Sequence, residues 1–213
     1  MTHDDWSHHR RNPDAVAHSK EDALGEREFE LLYEGAERMD GYQGVEARFI
    51  VMIAGRLGLR AGEIAHLREA WVDDREKMIH IPGYLECDKG KDGGRCGYCR
   101  QQIQQCVEYN DLTWDEVAKH WWRPKTEAGI RSIPYDFEPR AELAIDRFLD
   151  DFDEFSRSYT AVSRRVKKAA KFAPELDPEN IYCHALRATA ATYHVGRGLS
   201  THPLTSLMGW ANL

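Results

Sequence analysis

The sequence predicts a mainly α-helical domain carrying one small antiparallel β-sheet, an α+β arrangement. Three observations carry this expectation. Apolar residues recur at helical spacing in Phe29, Leu32, Ala36 and Met39, the mark of a helix with one buried face. Residues 45–57, with Phe49-Ile50-Val51-Met52-Ile53-Ala54 at their centre, are apolar around most of the helical circumference, as befits a central helix buried on all sides. Two short runs, Trp71-Val72 and Met78-Ile79-His80-Ile81-Pro82, flank the polar turn Asp73-Asp74-Arg75-Glu76, a strand–turn–strand signal.

In chain order, residues 1–24 read as a flexible N-terminal arm. Met1-Thr-His-Asp-Asp-Trp-Ser-His-His-Arg-Arg has no apolar stretch and is no signal peptide. Residues 26–39 form the first helix, with Gly41 and Gly44 as punctuation. Gly58 ends the central helix, and residues 61–68 start a short third one. Residues 83–118 break the pattern: they are rich in glycine and charge and hold four of the five cysteines. Residues 120–123 and 130–133 read as a hairpin around Glu127-Ala128-Gly129. Helices follow over residues 139–152, 160–172, 184–195 and 203–208, with Pro174 and Pro178 in the loop before the third of these. The expectation is one domain over residues 25–213 with a four-cysteine insert at about 83–118.

A hydrophobic fraction of 42% supports a packed core, and no run approaches the ~18 apolar residues of a membrane span. The expected place is the cytoplasm, with no membrane partner. The net charge of −7 argues against a polyanion partner globally, but binding depends on the local patch. Between Ser156 and Phe172 stand Arg157, Arg164, Arg165, Lys167, Lys168 and Lys171, with no acidic residue among them.

Two constellations carry chemistry. His184-Ala185-Leu186-Arg187 puts an imidazole and a guanidinium at i, i+3, on one helix face. Arginine offers a fork of N–H donors matching phosphate oxygens, and histidine moves protons near neutral pH. Alone, such a pair is ordinarily a solvated face. The second constellation, Cys87-x8-Cys96-x2-Cys99-x6-Cys106, has a C-x-x-C at its centre and Gly93, Gly94 and Gly97 to let the backbone wrap. In a reducing compartment it suggests a structural zinc ion held by four thiolates. Free thiols are the plain alternative, and a disulfide is disfavoured there. Cys183 reads as a buried thiol.

Upstream of His184 lie Leu57-Gly58-Leu59-Arg60-Ala61-Gly62-Glu63 and Lys125-Thr126-Glu127-Ala128-Gly129-Ile130-Arg131-Ser132-Ile133-Pro134; downstream lies Leu207-Met208-Gly209-Trp210. In order and flanking pattern these four motifs resemble the tyrosine site-specific recombinases, the phage integrase family, from about residue 24 to the end. The resemblance implies that family's catalytic-domain fold, double-stranded DNA as partner, self-association on DNA, and cleavage and rejoining through a 3′-phosphotyrosyl intermediate. It assigns Arg60 and Arg187 to clamp the phosphate, Lys125 to protonate the leaving 5′-oxygen, His184 to assist proton transfer, and Trp210 to donate to the phosphate. Glu63 orients Arg60. Read alone, Arg60 is an ion-pair partner of Glu63, Lys125 a solvated lysine and Trp210 a core aromatic. The six cations of 156–172 become candidate DNA contacts. The cysteine insert lies outside the family's pattern.

The family's nucleophilic tyrosine follows the Leu-x-Gly-His/Trp motif, and no tyrosine follows Trp210 in these 213 residues. Tyr193 stands where the family carries other residues. The expected function is therefore a DNA integrase or recombinase catalytic domain that cleaves only in a form with that tyrosine, these residues alone being inactive in cleavage. The alternative is a non-catalytic DNA-binding relative or regulator that has lost it. A third reading, a zinc module on a passive helical scaffold, explains the cysteines but not Arg60, Lys125 and Arg187.

Overall fold

A sequence with one helix apolar on every side must wrap that helix in others, and the chain does so. The structure, a computed structural model, describes residues 22–91, 93–110, 113–118 and 122–211. The apolar helix is α2 (Gly41–Gly55), in which Phe49 through Ala54 are all fully buried. Burying such side chains stabilises the fold by roughly 1.5–3 kcal/mol each. Around it pack α1 (Glu26–Glu37), α6 (Pro139–Asp151), α7 (Tyr159–Lys171) and α8 (Cys183–Gly196). Phe49 stacks on Phe148 of α6 at 3.9 Å between ring centres. The short α3 (Ala61–Ile64) follows α2, and α9 (Thr201–Met208) closes against α8.

The sheet has three antiparallel strands in the order β1 (Val72–Asp73), β2 (Met78–Ile81), β3 (Arg131–Pro134). Ile79 lies opposite Ile133, and Ile81 opposite Arg131. The expected strand–turn–strand at Asp73–Glu76 is present, but among the described residues the expected hairpin around Glu127 is not. The partner of β3 is β2, and Trp122 pairs instead with Leu85. Arg123-Pro124 and a 3-10 turn at Glu127–Gly129 carry the chain away before β3, because proline has no N–H to continue a ladder. His120 and Trp121 of that expected hairpin lie outside the described residues.

The expected arm also lies largely outside them, but its end does not. Leu24 is buried, and its N–H donates to Thr189 Oγ1 of α8 at 2.8 Å. The segment from 83 to 118 is more regular than its composition predicts. It holds α4 (Gly97–Asn110) and α5 (Trp114–Ala118), joined by a small apolar cluster of Ile103 and Val117. Among the described residues no helix is long and apolar enough to cross a membrane.

Candidate functional site

Two glycines build the first site. Gly58 (φ +72°) breaks the chain after α2, and Gly209 (φ +60°) ends α9. Both conformations are left-handed, which only glycine adopts without strain. At each break, backbone carbonyls turn inward, and an arginine from elsewhere takes them. Arg187 donates to the carbonyls of Gly58 and Met208. Arg60 Nη2 donates to the Gly209 carbonyl at 2.7 Å, while its Nη1 meets Glu63 Oε1 at 2.9 Å. Residues 149 positions apart are thereby tied at one point, and Trp210 follows directly, its ring centre 5.9 Å from the Arg187 guanidinium.

Arg60, Lys125, His184, Arg187 and Trp210 line one cavity of about 430 Å³. Glu63 sits behind it, buried, and accepts the Arg60 backbone N–H at 2.8 Å. Sequence reasoning missed Arg131, which forms a two-pronged pair with Glu63 (2.8 and 2.9 Å) and donates from Nε to the Leu207 carbonyl at 2.8 Å. The signal was its place in the Lys125 motif. Burial alone would raise the Glu63 pKa, but the hydrogen bonds and charge of Arg131, with the charge of Arg60, bring it below the ordinary value. Glu63 is thus a fixed anion and no acid catalyst.

The charge balance is lopsided. Among the described residues, three guanidiniums (Arg60, Arg131, Arg187) stand around one carboxylate, Glu63, which pairs with the first two, and no acidic side chain lines the cavity. Burial and repulsion from Arg60 bring Arg187 down to about 9. A guanidinium keeps its proton under such pressure, so the site holds excess positive charge that an anion would relieve. Burial, together with the charges of Arg187, Arg60 and Lys125, lowers the His184 pKa; Asp22 opposes this weakly. The ring is neutral at pH 7.

Two tyrosines outside the sequence-predicted set, Tyr98 and Tyr159, also line the cavity and stack at 4.6 Å between ring centres. Burial pushes the Tyr98 hydroxyl up to about 12, which makes it a poor nucleophile. Tyr193 faces elsewhere: its hydroxyl donates to Glu138 at 2.9 Å, and its ring covers the buried Arg56 guanidinium at 4.1 Å. Cys183 is buried and its thiol is pushed up to about 11 by that burial.

The second site corrects the sequence reading. The residues brought together are His66, Cys87, Cys96 and Cys99, all buried, with ligand atoms within 4.8 Å of one another. Cys106 is not among them. It lies two turns beyond Cys99 on α4, about 10 Å along the axis, where Arg123 Nη2 reaches its sulfur at 3.5 Å. His66 stands in its place. His66 Nε2 lies 3.4, 3.6 and 3.3 Å from the three sulfurs, against about 3.6 Å for the edge of a tetrahedron with zinc-like bond lengths. The Cys96 and Cys99 amides donate to the sulfurs of Cys87 and Cys96, at 3.5 Å each. His66 Nδ1 meets the Gly62 carbonyl at 2.8 Å, which holds the proton there and frees Nε2 as a ligand. The donor set fits a tetrahedral metal ion.

The basic residues divide. Arg157, Arg164, Arg165 and Lys168 border a cavity of about 420 Å³ beside Tyr42. Arg165 is already neutralised by Glu46 at 2.5 Å, and Lys167 turns away to Glu179 at 2.8 Å. Arg164, Lys168 and Lys171 are exposed. Helix α7 runs from the first cavity at Tyr159 past this one.

No protein-family model matches the sequence, and no curated protein sequence matches it. Solved structures do match the fold. XerA recombinase superposes with a TM-score of 0.57 at 20% identity, covering 89% of this chain. The Tn1549 transposon integrase superposes in complex with transposon right end DNA (TM-score 0.60, 20% identity, 93% covered) and with circular intermediate DNA (0.63, 15%, 94%). The chain spans 56%, 61% and 60% of those three chains. The fold is that of the tyrosine-recombinase catalytic domain.

Proposed function

We propose that this chain, with its tyrosine-recombinase catalytic-domain fold, is the phosphate-binding catalytic domain of a DNA integrase or site-specific recombinase, with double-stranded DNA as substrate and self-association on it. The observation that carries the reading is the convergence of Arg60, Lys125, His184 and Arg187, from distant stretches of chain, on one cavity bordered, among the described residues, by no acidic side chain. Arg60 and Arg187 hold the non-bridging oxygens of one phosphodiester and stabilise charge as it develops. Cleavage forms a tyrosine O–P bond and breaks P–O5′, leaving a 3′-phosphotyrosyl link. Lys125 gives its proton to the departing 5′-oxygen, with His184 assisting and Trp210 donating to the phosphate. The attacking hydroxyl is that of a tyrosine, which gives up its proton to the neutral His184 ring as the O–P bond forms. Zinc is the ion proposed for His66, Cys87, Cys96 and Cys99, where it supplies folding energy rather than chemistry.

The deciding experiment is binding to duplex DNA followed by fluorescence anisotropy. Arg60→Ala weakens binding while the far-ultraviolet circular dichroism is kept. Wild-type affinity in Arg60→Ala, and again in Arg60→Glu, rejects the pocket.

The logarithm of the affinity also falls linearly with log salt, with slope about −0.9 per phosphate neutralised. Replacing Arg164 and Lys168 together by alanine flattens that slope by roughly two units. Arg165→Ala changes it less, because Glu46 already neutralises that charge. Sequence preference stays the same, since phosphate contacts position a protein and do not read bases.

His184 adds a pH dependence. Its pKa is depressed in the free protein, and a bound phosphate favours the protonated ring, so binding takes up a proton. Affinity therefore rises as pH falls towards the depressed pKa of the free ring, and His184→Gln removes that part of the slope. A wild-type affinity flat from pH 7.5 to 5.5 contradicts the assignment.

A further inference from the structure

The metal centre and the phosphate cavity are separate sites, yet the stretches that supply His66 and Cys96–Cys99 also line the cavity, and the stretch that supplies Cys87 is tied to one that does. His66 comes just after α3, and its Nδ1 bond to the Gly62 carbonyl fixes the turn that starts at Arg60 and lines the cavity through Ala61 and Gly62. Tyr98 stands between Cys96 and Cys99 in sequence. Its hydroxyl lies so close over Gly62 that a Cβ there would come within 2.6 Å of it. The third connection runs to Lys125. The His66 ring stacks on Trp122 at 5.2 Å, and Trp122 exchanges both backbone hydrogen bonds with Leu85 (3.0 and 2.9 Å), two residues before Cys87. Three residues beyond Trp122 is Lys125, whose exposed side chain borders the cavity. Between them Pro124 packs on Gly129 so closely that a Cβ on that glycine would come within 2.5 Å of it.

We propose that His66, Cys87, Cys96 and Cys99, joined by a metal ion, hold one wall of the phosphate cavity, so that metal occupancy sets whether Lys125 and Tyr98 stand beside Arg60. The inference rests on reading that cavity as a phosphate pocket. The physical reason is a contrast in anchoring. Arg60 and Arg187 are fixed by backbone carbonyls and by Glu63, within the helical core. The Lys125 arm instead hangs from Trp122, which is held by the Leu85 bridge, the His66 ring and the Trp71 ring 5.2 Å away, at the margin of the cysteine loop. With the ligands bound together, these contacts are cross-linked to α3 and to the start of α4. With them released, four buried polar ligand atoms lose their partner, and the cross-link between the cysteine loop and α3 is gone. His66 is a positioning residue here, acting on Lys125 through Trp122. Chelators and thiol oxidants would then act on the pocket's proton donor without touching its arginines.

The test is hydrogen exchange on the 213-residue chain, read by mass spectrometry with zinc bound and after chelation. Zinc removal speeds exchange by about tenfold or more in the peptides holding Cys96–Cys99 and Trp122–Glu127, while α2 and α8 keep their protection. His66→Ala reproduces the apo pattern, and His66→Cys, which restores a fourth ligand but not the ring stacked on Trp122, recovers zinc and the protection of Cys96–Cys99. Zinc-bound and apo chains exchanging equally over Trp122–Glu127 would overturn the proposal, as would a chain that takes up no zinc. Duplex binding separates the two readings. If Trp122–Glu127 respond to zinc but Arg60→Ala and Arg60→Glu bind DNA like the wild type, the phosphate reading falls and the coupling stands.

Discussion

Substituting Arg187 by alanine slows covalent attachment to a nicked suicide DNA by ~10²-fold or more, measured in a chain that carries a tyrosine after Trp210. The magnitude follows from removing one fixed donor from a site where charge develops in a water-poor cavity. Arg187 also bridges the carbonyls of Gly58 and Met208, so the variant loses stability. Leaving buried carbonyls without a donor costs about 1–3 kcal/mol each. Arg187→Lys separates the two effects, since it keeps a charge but not the fork. A structural role alone would make the rate loss track the loss of thermal stability across both variants. A catalytic role leaves Arg187→Lys slow even where it is stable. An adduct formed by the 213-residue chain itself would direct attention to Tyr98 and Tyr159, which line the cavity.

His66→Ala abolishes stoichiometric zinc binding, and Cys106→Ser leaves one equivalent in place. The first variant removes one of four ligands from a centre whose binding energy is about 10–16 kcal/mol in comparable small sites. Loss of affinity by well over the 10–100-fold seen for outer-shell partners is expected. The second variant touches a cysteine that lies two helical turns from the centre. Cobalt substitution reads the donor set directly: the wild type and Cys106→Ser give the spectrum of three thiolates and one imidazole, and His66→Cys that of four thiolates. Loss of zinc in Cys106→Ser would restore the all-cysteine site and reject the geometry described above.

Much of this protein is determined by its sequence alone, and the reason is local. Helical periodicity and the all-round apolarity of residues 45–57 dictate a buried helix, whatever surrounds it. The strand–turn–strand at Asp73–Glu76 is likewise settled by turn chemistry within a few residues. The motif series carried the resemblance, and with it the fold. Arg60, Lys125, His184, Arg187 and Trp210 were legible because each stands in a short pattern of its own, although their meeting in one cavity is a matter of long-range packing.

Only the tertiary structure decided the rest. Cys106 looked like a ligand because spacing in sequence does not show that residues 97–110 are helical, and a helix carries it about 10 Å from Cys99. His66, twenty-one positions before Cys87, offered no sequence signal, since a ligand delivered by a different element has no spacing rule. The partner of β3 was misread for the same reason: strand pairing is non-local, and β2 lies some fifty positions upstream. Arg131 was visible as a motif residue, but its hold on Glu63 appears only when the sheet brings it to α3. The positive charge balance of the cavity is the sum of groups contributed by α3, β3 and α8. No stretch of the chain carries that sum by itself, because it arises from desolvating those groups together.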